Sequence, residues 1–212
     1  MKITKFGHSC LLVEMPAPVN RTTLFDPGVY SSVDVSSLRY LDDIVITHGH
    51  PDHFDLKTIK ELVAKFPSVH ITAPDEVVSR LNSESIPATS AASEGIVFFD
   101  SPHEVVRPLL NSDPPQEVGV HYLDVLSHPG DSHSFNETKA VLALPVQAPW
   151  GSTVDAVVLG LRLKPKYIIP VHDWHWRDEA RESLYDSMEG DFAAQEITFI
   201  KTVNGQPFVL DL

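Results

Sequence analysis

An α+β fold, built from mixed β-sheets packed face to face with helices outside, is the architecture this sequence predicts. Two observations predict it. Short β-rich runs and helical periodicities alternate along the chain in the order strands, helices, strands, helices. The chain also has 212 residues, 42% of them hydrophobic and 21% charged, the make-up of a globular protein that buries roughly 70% of its unfolded surface. We therefore expect residues 1–212 to form one domain.

The runs Lys2 to Phe6, Ser9 to Glu14 and Arg21 to Phe25 read as hairpin-joined strands, closed by the turn Asp26-Pro27-Gly28. Asp43 to Thr47 is a compact apolar run, the pattern of a buried strand, and it ends in His48-Gly49-His50-Pro51-Asp52-His53. Leu56, Ile59, Leu62, Val63 and Phe66 then fall at helical spacing, with Asp55 as N-cap and Pro67 as stop. Val69 to Ala73 predicts a strand, Pro74 to Leu81 a short helix and Asn82 to Glu94 a loop. Strands are expected at Ile96 to Phe99, Val105 to Leu110 and Val118 to Leu126, the last two separated by a turn at Asn111 to Gln116. Beyond Pro129-Gly130-Asp131 the pattern gives a strand at Ala140 to Leu144, a helix at Ser152 to Leu163, a strand at Tyr167 to Pro170 and a helix at Asp178 to Met188. Glu196 to Val203 and Pro207 to Leu210 close the chain as an expected hairpin across Asn204-Gly205.

Charge and cysteine content exclude several function classes. The balance of 16 basic and 29 acidic residues gives a net charge of −13, and no basic cluster offers a track for phosphates, so nucleic acid is not an expected partner. Cys10 is the only cysteine, which rules out an intramolecular disulfide framework and any multi-cysteine metal site. No run approaches the roughly 18 to 20 apolar residues of a membrane span, and the N-terminus reaches Gly7-His8-Ser9 before any apolar stretch of leader length. We expect a cytoplasmic protein with no membrane partner; a homo-oligomer remains open.

The chemistry is carried by histidines, of which there are 11. H-x-H-x-D-H at positions 48 to 53 arises by chance about 0.002 times per chain of this composition. His48 and His50 stand two apart after a strand, so in extended backbone both side chains point the same way, while Asp52 and His53 lie past a Pro turn and present a second face. Two faces of imidazole and carboxylate ligands suggest two metal ions rather than one; the rival reading is a polar surface loop. Further ligands can come from His8, His70, His103, His121, His128, His133, His172 and His175. His103, Asp131 and His172 each follow an expected strand, where a sheet delivers side chains to one edge. His121 lies inside an expected strand and reads as structural.

These motifs together resemble the metallo-β-lactamase superfamily of metal-dependent hydrolases, in the branch that includes ascorbate-phosphate lactonases and many other bacterial hydrolases. The likeness runs through Gly7-His8-Ser9, Asp26-Pro27-Gly28, Thr47 to Phe54, Phe99-Asp100-Ser101-Pro102-His103, His128-Pro129-Gly130-Asp131-Ser132 and Ile169-Pro170-Val171-His172. It implies a four-layer αββα sandwich with a dinuclear site. By the family pattern His48, His50 and His103 hold one ion, Asp52, His53 and His172 the other, and Asp131 bridges them. Two such ions roughly 3.5 to 4 Å apart share a water and lower its pKa towards neutrality, giving a hydroxide nucleophile. Asp52 is then the group placed to orient that nucleophile or move a proton.

His8 and Asp26 read as residues behind the ligands, Asp26 equally as a turn-stabilising acid. His128 and His133 bracket Asp131 and either line the pocket or face solvent. Asp173-Trp174-His175-Trp176 either walls the pocket or caps the core beneath the last helix. An all-N/O ligand set suits Zn first, with Mn, Fe or Ni also open. No glycine-rich phosphate loop is present, and only Arg107 and Arg162 hint at an anion contact. The expected activity is hydrolysis of a small-molecule ester, lactone or related acyl compound. A phosphodiesterase and a non-hydrolytic metal-binding or redox module are the rivals.

Overall fold

A computed structural model describes residues 1–105 and 113–212. Most of the expected strand Val105 to Leu110, the start of the turn at Asn111 and the anion-contact candidate Arg107 lie outside the described residues. The chain divides into two compact units, residues 1–92 with 203–212, and residues 93–202.

The first unit is a six-stranded sheet with two helices. Its elements are β1 (Lys2–Lys5), β2 (Leu11–Met15), β3 (Arg21–Phe25), β4 (Asp43–Val45), α1 (Leu56–Lys65), β5 (His70–Thr72), α2 (Asp75–Ser83) and, from the end of the chain, β12 (Pro207–Val209). β1 to β3 form an antiparallel meander, and β3, β4 and β5 run parallel to one another. α1 starts where the sequence places it. The Asp55 carboxylate accepts from the Lys57 and Thr58 amides, satisfying donors that the first helical turn cannot pair internally. Ile59, Leu62, Val77 and Leu81 of the two helices pack on Leu12, Leu24, Ile44 and Ile46 of the sheet. The alternate strand residues Ile3, Leu11, Val13, Phe25 and Val45 are buried as well, so this sheet is apolar on both faces.

The second unit repeats the plan. Its elements are β6 (Ile96–Phe99), β7 (Gly119–Tyr122), β8 (Leu126–His128), β9 (Val141–Pro145), α3 (Thr153–Leu163), β10 (Tyr167–Val171), α4 (Asp178–Ala193) and β11 (Thr198–Phe199). β6 to β8 are antiparallel, and β8 to β11 are parallel in the order β8-β9-β10-β11. Parallel neighbours require crossovers; α3 supplies the one from β9 to β10 and α4 the one from β10 to β11, while residues 129–140 join β8 to β9. α3 opens with a capping box between Ser152 and Asp155, and both helices bury residues such as Leu159, Met188 and Phe192 against Leu142, Leu144 and Ile168.

Two expectations are corrected. Val118 to Leu126 is not one strand but the hairpin β7–β8, turning at Leu123 and Asp124, both with positive φ (48° and 57°). That backbone fits a primed hairpin turn, here reached without glycine. The closing segments are not a hairpin either: β11 pairs with β10 in the second sheet, whereas β12 (Pro207–Val209) pairs with β1 in the first. Hydrophobic pattern finds strands but does not choose their partners.

Candidate metal centre

Strand direction explains where the candidate ligands emerge. In the first sheet β1, β3 and β4 all point the same way, so the loops after them deliver His8, Asp26 and His48 to one edge. In the second sheet β6, β8, β9 and β10 share a direction. The loops after these strands carry His103, Asp131, Trp150 and His172. Carboxyl edges of parallel strands are where open α/β sheets place their sites.

In the first unit the backbone is bent sharply to aim these groups. His8 and Asp26 have φ values of 46° and 43°, a region that costs non-glycine residues energy and concentrates at functional sites. A Cβ built at Gly28 would overlap the Asp52 carbonyl, so the Asp26-Pro27-Gly28 turn packs directly under the 48–53 loop. Asp26, fully buried, accepts from the Thr47 amide (2.8 Å), the Thr47 hydroxyl (2.8 Å) and His53 Nδ1 (2.7 Å). The Thr47 oxygen in turn accepts from His48 Nδ1 at 3.1 Å. His8 Nε2 donates to Asp52 Oδ2 at 3.1 Å. The ligand atoms of His8, Asp52 and His53 lie within 4.8 Å of one another, as do those of His48 and His50.

The second unit gathers candidate ligands that are far apart in sequence. Asp131 Oδ2 is 3.6 Å from His103 Nε2 and 3.2 Å from His172 Nε2. Two loops are tied together to achieve this: the Glu104 amide donates to the Asp131 carbonyl (3.0 Å) and the Ser101 hydroxyl to the Pro129 carbonyl (2.7 Å). His103 Nδ1 donates to the Glu104 carbonyl at 2.7 Å and His172 Nδ1 to the Gln147 carbonyl at 2.6 Å. His172 has φ 65°, and the next residue anchors that conformation. Buried Asp173 accepts from the Tyr185 hydroxyl (2.5 Å) and Arg181 Nε (2.9 Å).

The donor set fits divalent metal. A backbone carbonyl can only accept, and so can the Asp26 carboxylate, so His53, His103 and His172 carry their proton on Nδ1, as does His48 against a hydroxyl whose own proton goes to Asp26. With Nδ1 as the donor, Nε2 is the nitrogen of each ring that would ligate a metal, the arrangement in which an oriented imidazole binds one. His8 spends Nε2 on Asp52 and so orients that carboxylate, a partner 44 residues away that the sequence does not reveal.

The sequence profile of the β-lactamase superfamily domain matches residues 2–172. The chain belongs to this superfamily. Its relatives include a protein of Mycobacterium tuberculosis, 29% identical over 201 residues, covering 87% of this chain and 90% of that one. Another is a protein of Nanoarchaeum equitans named a metal-dependent hydrolase, 27% identical over 198 residues with 83% and 85% covered. Among solved structures, a metallo hydrolase of the archaeon Ignicoccus hospitalis aligns with a TM-score of 0.72 over 99% of both chains at 18% identity. The two six-stranded sheets and four helices are thus the metallo-β-lactamase fold.

The remaining sequence candidates separate clearly. His121 is inside β7, bonded to the Ser127 hydroxyl at 2.9 Å and stacked on Phe99 at 4.2 Å, as a structural histidine should be. His128 is fully buried rather than solvent-facing, because β8 is an interior strand and the Gly130 amide donates to its Nδ1. His133 is half-buried, its Nε2 donating to the Pro145 carbonyl at 2.9 Å, and burial pushes its pKa down. Trp176 packs against the core of the second unit while Trp174 is exposed, as is His175. His70 is exposed at the start of β5. Arg162 is engaged by Asn136 and the Phe135 carbonyl. Trp150, which the sequence reading passed over, donates its indole N–H to Asp131. No helix among the described residues is long and apolar enough to cross a membrane.

Proposed function

We propose that this metal-dependent hydrolase works with two divalent ions, zinc in the first instance, on a small-molecule ester, lactone or related acyl substrate in the cytoplasm. His48, His50 and His103 would hold one ion, Asp52, His53 and His172 the other, and Asp131 both. The observation that carries the reading is the shared orientation of four imidazoles, His48, His53, His103 and His172: each has Nδ1 2.6 to 3.1 Å from an oxygen acceptor, which makes Nε2 the nitrogen that would ligate a metal. Divalent ions in such a site supply a Lewis acid for the scissile carbonyl and lower the pKa of water from about 15.7 to about 7.

The chain's own residues do the rest. Asp52 is the one carboxylate of the 48–53 motif, it is partly solvent-accessible, and His8 fixes one of its oxygens. We assign it to orient the attacking water and accept its proton, a step such groups accelerate typically by 10² to 10⁴. Asp26 and Thr47 keep His53 and His48 in the required tautomer. The net charge of −13 disfavours a polyanionic substrate, and Arg162, a candidate anion contact, is already engaged by Asn136 and the Phe135 carbonyl.

Chromogenic esters, lactones and bis-aryl phosphates assayed side by side with zinc-loaded protein test the reading. Turnover of esters or lactones is expected. Activity confined to the phosphates would overturn the substrate class, and a visible band from bound iron with no hydrolysis of any substrate would favour a redox module.

A further inference from the structure

Trp150 stands at the tip of a tight turn just after β9. Ala148 and Gly151 exchange both backbone hydrogen bonds (3.1 and 3.3 Å), leaving Pro149 and Trp150 at the apex. The turn is locked from below, since a Cβ at Gly151 would come 3.0 Å from the His133 ring. The indole is held between two imidazoles, edge-on to His133 at 5.0 Å between ring centroids and tilted against His172 at 5.6 Å. Its Nε1–H donates to Asp131 Oδ2 at 3.3 Å, just beyond the usual N–H···O range of about 2.7 to 3.2 Å. The same short loop supplies the Gln147 carbonyl that fixes His172.

We propose that Trp150 is a positioning residue for the Asp131 carboxylate. The inference rests on Asp131 being a metal ligand. An N–H directed at one oxygen fixes the plane of the carboxylate, and a rigid indole wedged between His133 and His172 imposes that direction at little entropic cost. Outer-shell donors of this kind typically contribute 10- to 100-fold in metal affinity. A phenyl ring in the same place keeps the wedge and loses the donor.

The test is zinc affinity by competition with a chromophoric chelator, for the wild type, Trp150→Phe and the exposed-site control Trp174→Phe. Alongside it runs the thermal midpoint of each metal-free protein. The expected result is that Trp150→Phe binds at least one ion about tenfold more weakly, with an unchanged metal-free midpoint, while Trp174→Phe behaves as wild type. Wild-type affinity for both ions in Trp150→Phe overturns the proposal, as does a parallel fall in the metal-free midpoint, which would mark the residue as a packing element. A wild type that takes up neither zinc, manganese nor iron overturns the metal reading itself, and this proposal with it.

Discussion

The two units hold their imidazoles by different means. In residues 1–92 the anchors are side chains: the Asp26 carboxylate for His53 and the Thr47 hydroxyl for His48. In residues 93–202 they are main-chain carbonyls, those of Glu104 and Gln147. The outcome is the same Nδ1-donating tautomer in these four rings, yet the first arrangement can be dismantled by point mutation and the second only by moving the backbone. Ligand spacing differs in the same sense. Four of the candidate ligands of the first unit fall within His48 to His53, whereas His103, Asp131 and His172 come from three separate loops.

The largest effect should come from the group that only the first unit supplies, the carboxylate of the 48–53 motif. Asp52→Asn is expected to lower kcat on the best ester or lactone by about 10² to 10⁴ at full metal occupancy, because the amide cannot take a proton. An intact rate would remove Asp52 from proton transfer.

Next comes Asp26→Asn, which trades an acceptor of three hydrogen bonds for a neutral amide and weakens the hold on His53. Zinc affinity measured by chelator competition should drop about 10- to 100-fold. The matching change in the second unit, Gln147→Ala, leaves the carbonyl that His172 uses and should alter affinity by no more than about threefold, by the same logic. Equal losses in the two variants would dissolve the distinction between side-chain and main-chain anchoring.

A smaller effect lies in the second unit away from the candidate ligands. Burial on β7, with Lys139 nearby, holds the His121 pKa below its usual value, against an opposing pull from Glu137. The folded state therefore favours the neutral ring. Its contribution to stability is present above the ordinary histidine pKa of about 6.5 and is lost as pH falls through the lower folded value. The difference in thermal midpoint between pH 7.5 and pH 5 should be smaller in His121→Asn than in the wild type; an unchanged difference would show that His121 is not among the groups that drive acid destabilisation.

Legibility follows the same division. The 48–53 motif, the Asp55 cap and the Ser152 start of α3 are local patterns, set by residues within a few positions of one another, and the sequence displays them. The strand order within each sheet is not local. Leu123 and Asp124 turn a hairpin without the glycine that would announce it, and β11 and β12 look like partners until pairing places them in different sheets. Main-chain anchors leave no trace in residue identity, so the carbonyls that hold His103 and His172 could not have been read. Trp150 was hidden for a related reason: its partner Asp131 lies 19 residues earlier, across β9 and two loops.

The most direct test of the central claim, that residues of both units hold metal, is elemental analysis of protein purified without added metal. Wild type would be set beside His50→Ala, from the first unit, and Asp131→Ala, from the second. The account predicts about two equivalents of divalent metal in the wild type and a clear loss in each variant. A wild type without metal that takes up neither zinc, manganese nor iron, or a variant of either unit that keeps the full complement, would contradict it.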